Sequence, residues 1–288
     1  MTTIKAFIKG HPVLTFYAVV FLISWGGFLI VVGPTTGLEV VDIPPGAILS
    51  MVAGPVVAGI LLTGLVYGRA GFREFRSRLF RWRVGARWYA VALLPAPLVV
   101  AAVIFALSLA SPVFLPGIVR ADDKVAYLLF NLAVGLTAGF LEEIGWTGFA
   151  VPALRRRYGV FATGLIAGVL WGAWHYLGNV AAAETVRGTL SLSVFLPLIF
   201  LDVLVGSLLP FRVFMVWVYE HTGSLLVAML MHVSLTASIR ILTPVGNGGV
   251  PLFIYDFVLT AALWGVVAAV QRLQTLPRPG RGILPAQG

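Results

Sequence analysis

The 288-residue sequence has no cysteine, which excludes a disulfide framework, a thiolate metal site and a cysteine nucleophile. Charge is scarce as well. Charged side chains make up 11% of the chain, 20 basic and 11 acidic, where a soluble domain carries about 25%. Apolar residues reach 59% and the mean hydropathy is +0.98, so too few polar side chains exist to cover a globular core. These shortages exclude the soluble, disordered and collagen-like classes and leave a polytopic membrane protein. Positive charge exceeds negative by nine. In so apolar a chain that excess reads as basic loops that orient spans and meet anionic headgroups, with no nucleic-acid partner.

What the sequence does have is long hydrophobic runs. A helix needs roughly 20 apolar residues to cross about 30 Å of hydrocarbon. Eight segments qualify: Val13–Gly33, Gly46–Gly68, Trp88–Ser111, Ala126–Phe149, Val160–Gly178, Leu192–Val218, Ser224–Leu242 and Pro251–Val270. The alternating pattern of a β-barrel is absent, and backbone polar groups in lipid must be paired internally. The expected fold is therefore all-α, a single integral membrane domain over 1–288. The first run follows Lys5 and Lys9 in the manner of a signal peptide, but lacks a convincing small-x-small cleavage site and reads as a retained helix.

Lys and Arg divide 16 to 4 between the two sets of loops. The majority set comprises the amino-terminal segment, Arg69–Arg87, Arg155–Arg157, Arg212 and the tail. The minority is Arg120, Lys124, Arg187 and Arg240. This imbalance puts both termini in the cytoplasm, with 271–288 as a flexible basic tail. In the Arg69–Arg87 stretch, Phe72, Phe75, Phe80, Trp82 and Trp88 alternate with the arginines, the composition of a segment lying at the headgroups.

Against that background a few ionisable residues fall inside spans, where each costs about 2.5–3.5 kcal/mol on insertion scales. They are Glu142, Glu143, His175, His232, Asp202 and Asp256. Adjacent helical residues point about 100° apart, so at least one of Glu142 and Glu143 must face a polar cavity or a partner. The pair could be structural, hydrogen-bonded or ion-paired between helices. Basic partners at that depth are few, since Lys and Arg are assigned to loops, so His175 and His232 are the expected partners. A carboxylate beside an imidazole can act as a general base near neutral pH.

Two chemistries fit. Glu142 could take a proton from a water that attacks a peptide carbonyl, with one histidine assisting and the other stabilising the oxyanion. Alternatively, carboxylate and imidazoles could hold a divalent metal such as zinc; the His-Glu-x-x-His helix of familiar zinc peptidases is absent. Asp202 and Asp256 read as structural, bonded to hydroxyls or backbone. His221 reads as part of a cytoplasmic turn, His11 as incidental, and Asp122 and Asp123 as a solvated loop. No phosphate-binding loop, dinucleotide fingerprint or Gly-x-Ser-x-Gly elbow is present.

Three stretches taken together resemble the CPBP intramembrane proteases, bacterial relatives of the CAAX prenyl endopeptidase. They are Glu142–Leu154 (EEIGWTGFAVPAL), Leu170–His175 (LWGAWH) and Arg212–Thr236 (RVFMVWVYEHTGSLLVAMLMHVSLT). The resemblance covers 126–238, a CPBP-like protease core. It implies a helix bundle with a cytoplasm-facing polar cavity, acting as an intramembrane endopeptidase of the bacterial plasma membrane on a peptide or membrane-protein substrate. It further implies a metal-free mechanism without cofactor, in which Glu142 activates water with His175, His232 and Thr236 stabilise the oxyanion, and Glu143 supports them. Two positions depart from the family pattern: its usual Arg is Thr147 here and its usual Asn is Thr236. Thr236 offers one hydroxyl donor where Asn offers two N–H donors, and Thr147 removes a cation beside a carboxylate. These departures motivate two alternatives, a catalytically impaired membrane binding or immunity protein, and a transporter using the same acids. The transporter would call for repeat halves and broken helices, and neither is evident in the sequence.

Overall fold

A computed structural model describes residues 3–36, 43–244 and 248–275. Among the described residues there are helices and no strands. In chain order they are α1 (Thr3–Gly10), α2 (Pro12–Thr36), α3 (Pro45–Leu62), α4 (Gly68–Leu79), α5 (Ala86–Leu93), α6 (Pro95–Ala110), the single turn α7 (Gly117–Arg120) and α8 (Lys124–Gly145). There follow α9 (Val151–Arg155), α10 (Val160–Ala181), the single turn α11 (Ala183–Val186), α12 (Leu192–Val205), α13 (Leu208–Thr222), α14 (Leu225–Leu242) and α15 (Val250–Thr275).

Eight helical stretches are long and apolar enough to cross a membrane, at the eight places the hydrophobic runs predict. The protein is an integral, multi-pass membrane protein. Its helices continue beyond the apolar runs, because hydrogen-bonded helix persists where the sequence turns polar. The second stretch runs Pro45–Leu79, passing through a π turn at Thr63–Tyr67 into α4, the amphipathic basic segment. The sixth, Leu192–Thr222, is not one helix. It breaks at Gly206 and Ser207 into α12 and α13, contrary to the expectation of unbroken spans. Of the expected tail 271–288, residues 271–275 end α15, and 276–288 lie outside the described residues.

Lipid is as apolar as leucine, so helices in a membrane associate by close packing of small residues. Here α8 meets α14 at Gly139, where a Cβ would lie 2.7 Å from the Val233 nitrogen. The α10 helix meets α13 at Gly164, where a Cβ would lie 2.6 Å from the Val213 Cα. The pairings α8–α14, α10–α13 and α3–α8 form the centre of the bundle. At one end an Arg155–Glu220 pair (2.8 and 3.0 Å) ties α9 to α13. At the other, Arg240 donates to Asn131 at 3.1 Å and ties α14 to α8. Leu22, Phe105, Leu109 and Phe257 point outward, exposed in the way lipid-facing side chains are.

Asp202 and Asp256 sit on α12 and α15 and make no side-chain hydrogen bond among the described residues, so the expected bonding to hydroxyl or backbone is not found. His221 belongs to the last helical turn of α13, its Nδ1 donating to the Trp217 carbonyl at 2.8 Å. Asp123 caps α8, accepting from the Val125 and Ala126 amides at 3.0 and 2.9 Å.

Candidate active site

The two acids lie in the last turn of α8, and the five residues after its end at Gly145 form a π turn, Trp146–Ala150. Its cause is visible in the sequence. Pro152 has no N–H to offer the Gly148 carbonyl one turn back, so a regular helix cannot continue unchanged. Arg78 of α4 supplies the missing donor, its Nη2 reaching the Gly148 oxygen at 3.0 Å while Nη1 bonds the Tyr219 hydroxyl at 2.9 Å. The interfacial helix is thereby fastened to the turn beside the acids.

Glu142 and Glu143 are 4% and 0% exposed and have divided into different environments. Glu142 faces indoles. Its Oε2 accepts from Trp146 Nε1 at 3.2 Å and from Trp171 Nε1 at 3.1 Å. No described side chain or amide donates to its Oε1. Glu143 is saturated: Arg212 donates from Nη2 to Oε1 and from Nη1 to Oε2, each at 2.9 Å. His232 Nδ1 donates to Oε1 at 2.8 Å, and the Thr147 hydroxyl to Oε2.

Arg212 corrects the sequence reading. Counted there among loop cations, it is wholly buried, on α13 in the bundle core. Its guanidinium lies 4.0 Å from the Trp171 ring, a cation–π contact. With it removed from the loops, the basic imbalance is 15 to 4 and its direction is unchanged. The missing cation at position 147 also changes meaning: Glu143 has its guanidinium, delivered from a different helix. The expectation that histidines alone partner the acids is overturned for Glu143.

His232, 2% exposed, lies on α14. The Glu143 carboxylate can only accept, so Nδ1 carries a proton and Nε2 points the other way, 4.0 Å from Glu142 Oε2. His175 lies on α10 one turn beyond Trp171. Its Nδ1 donates to the Trp171 carbonyl at 2.9 Å, and its ring packs edge-on against Trp171 and Trp174, with centroids 5.8 and 4.7 Å away. It makes no hydrogen bond or ion pair with Glu142. Thr236, one turn past His232, is half-buried, and its hydroxyl makes no hydrogen bond among the described residues. The structure thus bonds His232 to Glu143, brings its Nε2 within 4.0 Å of Glu142 and holds His175 against the tryptophan that bonds Glu142. Sequence reasoning missed Arg212, Trp146 and Trp171.

A metal fits this set poorly. Glu143 has both oxygens filled by donors, with a guanidinium against it, whereas the Nε2 atoms of His175 and His232 stay open, as they do in metal-ligating histidines whose Nδ1–H is held by an acceptor. No three His, Asp or Glu side chains group as metal ligands among the described residues.

The fold and site together define a polytopic membrane protein with a buried carboxylate–imidazole–guanidinium centre. Residues 124–238 match the family described as Type II CAAX prenyl endopeptidase, Rce1-like. The chain is also 25% identical over 241 residues to a CAAX prenyl protease 2 of Methanococcus maripaludis, an alignment covering 78% of this chain and 82% of that one. The matched segment, 124–238, holds every residue of the centre, and both comparisons support the likeness to the CPBP proteases related to the CAAX prenyl endopeptidases.

Proposed function

We propose that the protein is an intramembrane endopeptidase that hydrolyses a peptide bond near the cytoplasmic membrane surface, with Glu142 as general base and no metal. The similarity to a CAAX prenyl protease supports the carboxyl-terminal region of a prenylated protein as the substrate class. The observation that carries the mechanism is the division of labour between the acids. Glu143 is consumed by four donors, whereas Glu142 is held by two indoles on one oxygen only, leaving Oε1 available.

In this reading water binds between Glu142 Oε1 and His175 Nε2, which is an acceptor because Nδ1 holds the proton. Glu142 takes the water proton as oxygen attacks the carbonyl carbon. His232, as an imidazolium donating from Nδ1 to Glu143, presents Nε2–H to the oxyanion, and the free Thr236 hydroxyl adds a second donor. Glu142 then returns its proton to the departing amine. The expected setting is the bacterial plasma membrane with both termini cytoplasmic.

The test is cleavage of prenylated and unprenylated peptides by purified protein in vesicles, with cut sites read by mass spectrometry. Glu142→Ala cleaving at the wild-type rate overturns the mechanism. Thr236→Val should lower kcat about a hundredfold with KM little changed, since one oxyanion donor is worth about 2.7–4 kcal/mol; Thr236→Asn, which restores N–H donors, should retain activity. Dialysis against a strong chelator should leave the rate within about twofold. Loss of activity that zinc restores would replace this mechanism with a metal-activated one.

A further inference from the structure

Arg212 has contacts beyond its ion pair. Its two Nη atoms fix Glu143, which in turn holds His232 Nδ1, and its flat face lies against Trp171, whose indole N–H holds Glu142. The Arg212 Nε, also buried, makes no hydrogen bond, so the guanidinium is spent wholly on these two contacts. One side chain on α13 thereby touches both arms of the centre, the arm carrying the base and the arm carrying the imidazole.

We infer that Arg212 is a positioning residue for the reaction, holding Glu143 in the orientation that sets the proton on His232 Nδ1 and aims Nε2 toward Glu142. The inference rests on the proposed peptidase reading for its kinetic arm only. Ordinary structural stapling of α13 to α8 would predict something different, and position 147 separates the two. Thr147 already reaches Glu143 Oε2 from one helical turn away. A long cationic side chain there can give Glu143 a guanidinium from the π turn that continues α8. It cannot tie α8 to α13.

The experiment uses full-length protein with Arg212→Leu, Arg212→Lys, and the relocation variant carrying Arg212→Leu with Thr147→Arg. Two readouts are taken: kcat and KM on a cleaved peptide, and the 15N resonances of His232, which report protonation at Nδ1 and at Nε2 separately, whether or not cleavage occurs. Arg212→Leu should lower kcat about a hundredfold or more with KM changed less than threefold, and should lose the Nδ1–H signature of His232. The relocation variant should recover at least tenfold in kcat and regain that signature. Arg212→Lys keeps a charge without the two-pronged geometry and should fall between. It also serves should Arg212→Leu fail to fold.

If the relocation variant folds yet shows no recovery in either readout, Arg212 is a helix staple and the inference is overturned. The same holds if Arg212→Leu leaves the His232 resonances unchanged. If the His232 signature is lost and regained as expected while wild-type protein cleaves no peptide, the positioning role stands and the peptidase reading fails.

Discussion

Glu142→Gln should reduce kcat by about a thousandfold or more while leaving the fold intact. General-base catalysis by a positioned side chain contributes typically about 10²–10⁴-fold, and in this centre the one other acceptor offered to the water is His175 Nε2, which then has no carboxylate to stabilise it as an imidazolium. Glu143 is filled by Arg212, His232 and Thr147, and His175 has given Nδ1 to a backbone carbonyl. Gln is the informative substitution because its amide oxygen can still accept from Trp146 and Trp171. Ala would strand two buried indole N–H groups, each at about 1–3 kcal/mol, and confuse lost chemistry with lost packing. The measurement is single-turnover cleavage alongside thermal unfolding in detergent. A Glu142→Gln protein with wild-type melting and at least a tenth of wild-type kcat would show that proton abstraction is done elsewhere.

The pairing of Glu143 with Arg212 also bears on whether the centre is a relic. Thr147 and Thr236, taken as bare substitutions, suggest an impaired protein that keeps the fold for binding. In the structure Thr147 remains bonded to Glu143 and the cation arrives from α13. An abandoned site would have little reason to keep a wholly buried guanidinium matched by two hydrogen bonds to a carboxylate, because unpaired buried charge is costly. Thr236 keeps an unspent hydroxyl beside His232. The departures thus read as a rearranged set of the same chemical parts.

How legible this was differs by level. The eight spans are written in composition, since a run of about 20 apolar residues permits little else. Their ends are not, because α4 and α9 continue as helix through residues too polar for lipid. Glu142, Glu143 and His232 could be singled out because acids and histidines are rare and costly within spans. Arg212 is harder: counting basic residues toward loops assigns it to the cytoplasm, and the break at Gly206 that seats α13 in the core is a backbone event. The signal against that assignment is local. Arg212 is the lone charge in the apolar stretch from Leu208 to Tyr219, an arrangement that itself marks an intramembrane cation seeking an acid. The stripes Gly135–Gly139 and Gly164–Gly168–Gly172 are likewise legible as small residues at helix contacts. Which helix each one meets depends on tertiary packing, which no single-helix pattern contains.

Removing the carboxylate that Arg212 answers should have the largest effect on stability. Glu143→Leu leaves a fully buried guanidinium without countercharge, and breaking a buried pair from one side costs about 3–5 kcal/mol. His232 Nδ1 and the Thr147 hydroxyl lose their acceptor in the same step, so the upper end of that range applies. The paired variant Glu143→Leu with Arg212→Met removes both charges together. Since apolar replacement of a whole buried pair is often neutral or stabilising, it should regain most of the loss. The coupling between the sites, read from a double-mutant cycle of unfolding in detergent, should then exceed about 2 kcal/mol, within the range found for residues in direct contact. Activity should move the other way. The apolar pair restores folding but supplies neither the acceptor that orients His232 nor the cation that orients Glu143, so the double variant should be stable and inactive. A double variant no more stable than Glu143→Leu would mean that Arg212 finds another counterion. A double variant that is stable and active would mean that the pair serves only to hold α8 to α13.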